Sequence, residues 1–183
     1  MSDLAERIDR LARLVQNEAH AQALKPVQWE ALRYLARANP VSRSPKGVTA
    51  YLGLTKGTVS QTLITLERKG LLTRHERDGD ARGIQLDLTL EGQALLRQDP
   101  LTGLDEALDA LDPAEYDAVS QGLTKLLDQM IKRRDGTPFG VCRTCRHYKD
   151  GSTAFCGLLD LPISKSDTAR ICMEHEPAAG ATL

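Results

Sequence analysis

Apolar residues recur at steps of four, three and four from Leu4 through Ile8 and Leu11 to Val15, one stripe of an amphipathic helix running to about His20 with a charged opposite face. Pro26 suits the first turn of a second helix carrying Trp29, Leu32 and Leu35. Asn39-Pro40 ends it, because the residue before a proline avoids the helical region. Ser44-Pro45, an N-cap followed by proline at the first helical position, opens a short third helix that stops at Gly53. Thr55 then caps a fourth, TKGTVSQTLITLERKG, with Val59, Leu63 and Leu66 on one face and Gly70 at its end. From Leu71 the period changes from 3.6 to 2: Ile84, Leu86 and Leu88 alternate with Gln85 and Asp87, after a turn dense in Asp and Gly, which predicts a β-hairpin over 71–88. The segment LEGQALL after Thr89 reads as a helix start. Asp112-Pro113 opens a long helix with Tyr116, Val119, Leu123, Leu126, Leu127 and Met130 on one face and Lys132, Arg133 and Arg134 at its negative C-terminal end. After Asp135-Gly136-Thr137-Pro138 the periodicity disappears. The pattern divides the chain into 1–136 and 137–183.

The expected fold is mainly α with a small β-hairpin wing: a winged helix-turn-helix within a helical dimer, plus a small cysteine-ligated metal or cluster module. The two short helices around Gly53-Leu54, followed directly by a charged hairpin, carry that expectation, since the second helix of such a pair enters the major groove and the hairpin reaches beside it. Opposite the apolar stripe of this helix lie Lys56, Thr58, Ser60, Gln61 and Thr65, short polar groups suited to base edges and phosphates. Gly57 in its first turn costs helix stability, roughly 1 kcal/mol relative to Ala, a cost that close approach to a phosphate would explain. Such residues also solvate ordinary exposed helix faces. The adjacent hairpin shifts the balance towards DNA, because Arg74, His75, Arg77 and Arg82 cluster where backbone neutralisation is needed. Asp78 and Asp80 repel phosphate and fit structural roles, Asp80 as a partner for Arg82 or a cap on the turn.

Charge distribution agrees. The chain has 183 residues and a formal net charge of -1, too little for a global basic field. Residues 1–83 nevertheless hold 14 Lys+Arg against 9 Asp+Glu, net +5, while 84–139 hold 5 against 11, net -6. Hydrophobic residues at 41% and aromatics at 4% fit a globular chain with an aliphatic core. No run approaches the roughly 18 apolar residues that a membrane span requires, and the start MSDLAERIDR lacks the basic and apolar regions of a signal peptide. A cytoplasmic protein is expected. No G-x-S-x-G, H-E-x-x-H or phosphate-cradling glycine loop is present, and the polar residues do not converge on a pocket, so an enzyme, such as a cysteine-based redox protein, is disfavoured.

In LKPVQWEALRYL, LGLTKGTVSQTLITLERKGLLTR and RDGDARGIQLDLTLEG, taken in this order and spacing, residues 4–134 resemble the MarR family of bacterial transcriptional regulators. The resemblance implies a homodimer built by the first and last long helices, a palindromic operator in double-stranded DNA and, usually, repression. It implies major-groove reading by Thr58, Ser60, Gln61 and their neighbours, and minor-groove insertion of Arg82. The wing tip departs from the family in having Gly79 and Ala81 where a further cation is common. Independently, the stripes at 4–15 and 116–130 lie outside the reading head and must bury apolar surface, in a second copy or against each other within one chain.

All four cysteines fall in the last 42 residues, as C-x2-C-x10-C-x15-C: Cys142, Cys145, Cys156 and Cys172. In a reducing compartment this grouping favours a metal site over disulfides. Zinc ribbons usually draw ligands from two C-x2-C knuckles, whereas isolated Cys156 and Cys172 suit a bulkier group wrapped by chain. The tail, in its spacing and in the aromatic after the first pair, also resembles small high-potential-type iron-sulfur modules. That resemblance implies a [4Fe-4S] cluster, with Zn2+ as the alternative. His147 and His175 are read as neighbours of the site rather than ligands, and Tyr148 and Phe155 as its cover. Two regulators are therefore in view. In one, the cluster reports redox state, oxygen or iron through the dimer to which the tail attaches after Arg134; in the other, zinc braces the tail and a small-molecule effector in the dimer cleft supplies the signal.

Overall fold

A computed structural model describes residues 2–21, 24–77, 80–134, 136 and 138–178, with the side chains of 19–21, 77 and 80–82 outside the description. Helix α1 (Asp3–Ala21) is followed by α2 (Pro26–Arg37), α3 (Pro45–Leu52) and α4 (Lys56–Arg68), then the antiparallel strands β1 (Leu72–Arg77) and β2 (Asp80–Leu88). Helices α5 (Leu90–Leu96), α6 (Thr102–Asp109) and α7 (Pro113–Arg133) come next. The capping residues act as their chemistry requires. Ser44 accepts from the Gly47 N–H at 3.1 Å, Thr89 from the Gly92 N–H at 3.0 Å, and Asp112 from the Ala114 and Glu115 N–H groups, with Glu115 returning a bond to the Asp112 N–H at 3.1 Å. Gly53 closes α3 in the left-handed conformation, φ 62°, where a side chain would be strained.

The main core joins Trp29, Leu32 and Leu35 of α2, Val48 of α3, Val59, Leu63 and Leu66 of α4, and Leu72 and Leu86 of the hairpin. Its register places Leu72 opposite Leu88 and Arg74 opposite Leu86, with an irregularity between Glu76 and Arg77 where the wing begins to leave the body. Arg33 clamps Asp99 with two bonds of 2.7 and 2.6 Å, tying α2 to the segment before α6. Outside this core, α1 and α7 carry their stripes in solvent: Leu4 is 61% exposed and Leu127 63%.

Helix α6 was not legible in the hydrophobic pattern, because its eight residues bury none of their side chains. The tail is equally aperiodic in sequence. It folds as five short strands, β3 (Gly140–Val141), β4 (Tyr148–Lys149), β5 (Ala154–Cys156), β6 (Leu161–Ile163) and β7 (Ile171–Cys172), with 3-10 turns at Cys142–Thr144 and Asp167–Ala169. β3 pairs with β7, and β4, β5 and β6 form a second small antiparallel sheet.

Candidate nucleic-acid interface and cysteine centre

Thr55 fixes the start of α4: its hydroxyl accepts from the Thr58 N–H at 3.3 Å and shares a 2.9 Å bond with the Thr58 hydroxyl. Val59, Thr62, Leu63 and Leu66 are buried beneath the helix, while Lys56, Thr58, Ser60 and Gln61 stand exposed on its other side. Thr65 is half-buried and its hydroxyl donates to the Gln61 carbonyl at 2.8 Å. A Cβ on Gly57 would find nothing nearer than the Thr55 hydroxyl at 4.0 Å, so internal packing does not demand glycine there.

On the wing, Arg74 turns inward. Its guanidinium lies 3.2 Å from Glu67, yet Nε and Nη2 have no aligned acceptor among the described residues, so the contact is charge against charge without a well-formed hydrogen bond. It faces a cavity with Lys46, Lys56, Ser60, Val59 and Leu63 between α3, α4 and the hairpin. His75 Nε2 and Arg43 Nη1 flank Asp87 at 3.1 and 2.9 Å, bracing the wing base. Arg77 and Arg82 belong to β1 and β2, and their side chains lie outside the described residues, as do Asp78 and the side chain of Asp80.

The four cysteines, spread over the tail in sequence, line one cavity together with Tyr148, Ile163 and Glu174. All four are free thiols. Three pieces of local structure bring them there. The 3-10 turn after β3 carries Cys142 and closes with the Cys145 N–H on the Cys142 carbonyl at 2.9 Å. β5 ends at Cys156, opposite Tyr148 and Leu161. β7 places Cys172 beside Gly140. Cys142 and Cys172 form a buried pair in which the thiol of one favours the charged form of the other. The bond from Cys142, opposed by burial and aided by the Glu174 N–H and the Asn39 and Ser42 side chains, lowers Cys172 to about 6, whereas the same pairing and burial push Cys142 up. A negatively charged sulfur at a buried position is the form in which cysteine ligates a metal. Among the described residues no three Cys, His, Asp or Glu side chains form a group ready to hold a metal ion, yet four thiols on one cavity are the donor chemistry that zinc and iron-sulfur clusters alike take. His175 is buried outside the cavity lining, its Nε2 3.0 Å from the Thr144 hydroxyl and its ring packed on Gly140, where a Cβ would overlap it. His147 lies 3.2 Å from Glu176.

Residues 24–83 match the MarR family model. The transcriptional repressor MprA of Escherichia coli K12 is 28% identical over 116 residues, 60% of this chain and 66% of the repressor, just under two thirds of its length. The Staphylococcus aureus MepR–DNA complex superposes with a TM-score of 0.57 at 24% identity, over 69% of this chain and 95% of that one. A MarR transcriptional regulator from Methanosarcina mazei Go1 gives 0.59 at 19% identity, over 70% and 96%. These structural likenesses establish a winged-helix fold of MarR type, mostly helical with a two-stranded wing. The proteins matched include a transcriptional repressor and a MarR transcriptional regulator. No helix of the described residues is long and apolar enough to cross a membrane.

The tail, joined to the chain after Arg134, is also seated on the head. Ile171 enters the main core, and Phe139 packs edge-on against Tyr34 and Tyr51 at 6.0 and 5.0 Å. Ile171 bridges Ala38, its carbonyl accepting from the Asn39 N–H at 2.9 Å, and Arg170 donates to the Ala36 carbonyl at 2.9 Å. Asn39, Ser42 and Met173 were therefore missed as site residues. Asn39 reads only as a helix stop in the sequence, and nothing local marks a loop serine as the floor of a distant cysteine cavity.

Proposed function

We propose that the protein is a MarR-type transcriptional regulator, acting as a repressor, that binds a palindromic operator as a cytoplasmic homodimer. The observation that carries this reading is the exposed polar face of α4, Lys56, Thr58, Ser60 and Gln61, inside the segment matching the family. In this reading α4 lies in the major groove, Gly57 lets its first turn approach a phosphate, and Arg82 on the wing reaches the minor groove. MepR in complex with DNA, a protein of the same fold, lends support. The bare stripes of α1 and α7 are covered by a second copy.

We further propose that Cys142, Cys145, Cys156 and Cys172 hold a [4Fe-4S] cluster, which supplies a redox- and oxygen-sensitive group beside the head. Convergence of all four thiols on one cavity supports it. The second reading is zinc as a brace with a small-molecule effector; the cation-lined cavity that favours an effector lies beside Arg74 inside the head, away from the dimer cleft first expected to hold it. One experiment separates the readings. Anaerobically purified protein is analysed for metal and titrated with duplexes selected from a random pool. About four irons per chain with a visible charge-transfer band support the cluster, and colourless zinc-loaded protein removes it. A steep fall of affinity with salt supports DNA binding, and a monomer indifferent to every duplex removes the regulator.

A further inference from the structure

The floor of the cysteine cavity belongs to the reading head. Asn39 and Ser42 lie in the connection between α2 and α3, and both are buried, Ser42 completely. Asn39 uses its carboxamide oxygen to accept from the Ser42 N–H at 2.9 Å, and its backbone N–H donates at 2.9 Å to the carbonyl of Ile171, the residue before Cys172. The Ser42 hydroxyl accepts at 2.9 Å from the N–H of Met173, the residue after Cys172. The Ser42 carbonyl accepts from the Tyr34 hydroxyl at 2.8 Å. Gly47, in the first turn of α3, packs so closely on the Ser42 carbonyl and the Tyr34 hydroxyl that an added Cβ would overlap both. Two residues further on from Ser42, Ser44 caps α3, which packs on α4. A hydrogen-bonded path therefore runs from the backbone on either side of Cys172 through Asn39 and Ser42 to the helix that supports α4.

We propose that Asn39 and Ser42 are positioning residues shared by the metal centre and the reading head, so that filling the four-cysteine site fixes α3, and through it α4, within each protomer. The inference rests on the proposed metal centre but not on the identity of its metal. Whatever binds only the assembled arrangement of thiols stabilises that arrangement and everything hydrogen-bonded to it. Without a bound group, the tail has little core of its own to hold Cys172 and Met173 against Ser42. The route is local: it passes through the α2–α3 connection and not through α1 or α7.

The test is hydrogen exchange on the full-length dimer, metal-loaded and metal-free, read at the amides of 39–52. In the wild type, loading should slow exchange there about tenfold or more, a local-stability change of the kind such measurements resolve, while α1 and α7 stay unchanged. Ser42→Ala keeps the backbone bonds to Tyr34 and Asn39 but loses the hydroxyl that accepts from the Met173 N–H. It should bind the same metal load and lose most of the slowing. If Ser42→Ala does not fold, Asn39→Ala serves, since it removes the side-chain acceptor for the Ser42 N–H; its loaded form should show the same loss. Full metal loading with equal exchange at 39–52, or full slowing retained in the folded variant, overturns the shared-residue inference while leaving the metal centre intact. A wild-type chain that takes up neither iron nor zinc overturns the centre itself, and this inference with it.

Discussion

The head and the tail are built by different means. The head closes a core in which Trp29, Ala31, Leu32, Leu66 and Leu86 are at 0% exposure, and its helices are set by caps at Ser44 and Thr55. Among the described residues the tail's own cluster is Cys142, Ala154 and Ile163, each 8% exposed, with half-buried Tyr148, Cys156 and Leu161 against it, and its strands have two or three residues. Burial of this extent offsets little of the ordering entropy of some forty residues. The tail must be held by something else: a shared core through Ile171, hydrogen bonds to the α2–α3 connection, and a group bound by its thiols. A region with its own core can serve as a rigid reader, whereas one without it responds to whatever holds it together.

Two substitutions press on that contrast hardest. Trp29→Ala should destabilise the head by about 3–5 kcal/mol, the usual cost of emptying a buried aromatic site, measured by denaturant unfolding of metal-free protein. A much smaller loss would mean that the head does not stand on its packing. Ile171→Ala comes next, at about 2–5 kcal/mol. Although Ile171 belongs to a tail strand, its loss should lower the stability of the head itself, because it lies in the head's core. If the head's transition does not move, the two regions are independent and the shared core is only apparent.

The sequence was most readable where side-chain periodicity and capping chemistry act locally. Pro26, Ser44, Thr55, Thr89 and Asp112 each open a helix where the residue types place it, and the alternation of Ile84, Leu86 and Leu88 marks β2. The polar face of α4 follows from the same arithmetic. Of the cations assigned to DNA, Lys56 is exposed as expected. Arg74 is drawn to Glu67 by a charge seven residues earlier, a tertiary pairing that no short-range pattern carries. Cysteine spacing indicated one common centre, and the thiols do line one cavity. The docking of the tail was illegible, because it depends on backbone groups of Ala36, Ala38 and Asn39, and every residue has a backbone.

On the reading surface the effects shrink. Arg82→Ala should weaken operator binding by about 1–3 kcal/mol while leaving unfolding unchanged, the magnitude of a single specific contact. Anisotropy titrations at fixed salt check this, and equal affinity would take the wing out of the interface.

Gly57→Ala is the smallest and the most diagnostic, because packing and recognition give it opposite signs. Among the described residues the nearest atom to a Cβ there is the Thr55 hydroxyl at 4.0 Å, an ordinary contact. Alanine is the better helix former, so the substitution should stabilise the head by up to about 1 kcal/mol, less if the first turn is already held by the Thr55 cap. The added methyl points outward from the first turn of α4, between Lys56 and Thr58 on the face assigned to DNA. If that turn lies against a phosphate, the same methyl holds the backbone off it, and operator affinity falls as stability rises. Thermal unfolding and duplex titration on one preparation read both quantities. A gain in stability with unchanged affinity would leave Gly57 without a role in the interface and move the phosphate contact elsewhere on α4; a gain in one matched by a loss in the other marks this turn as the point of closest approach.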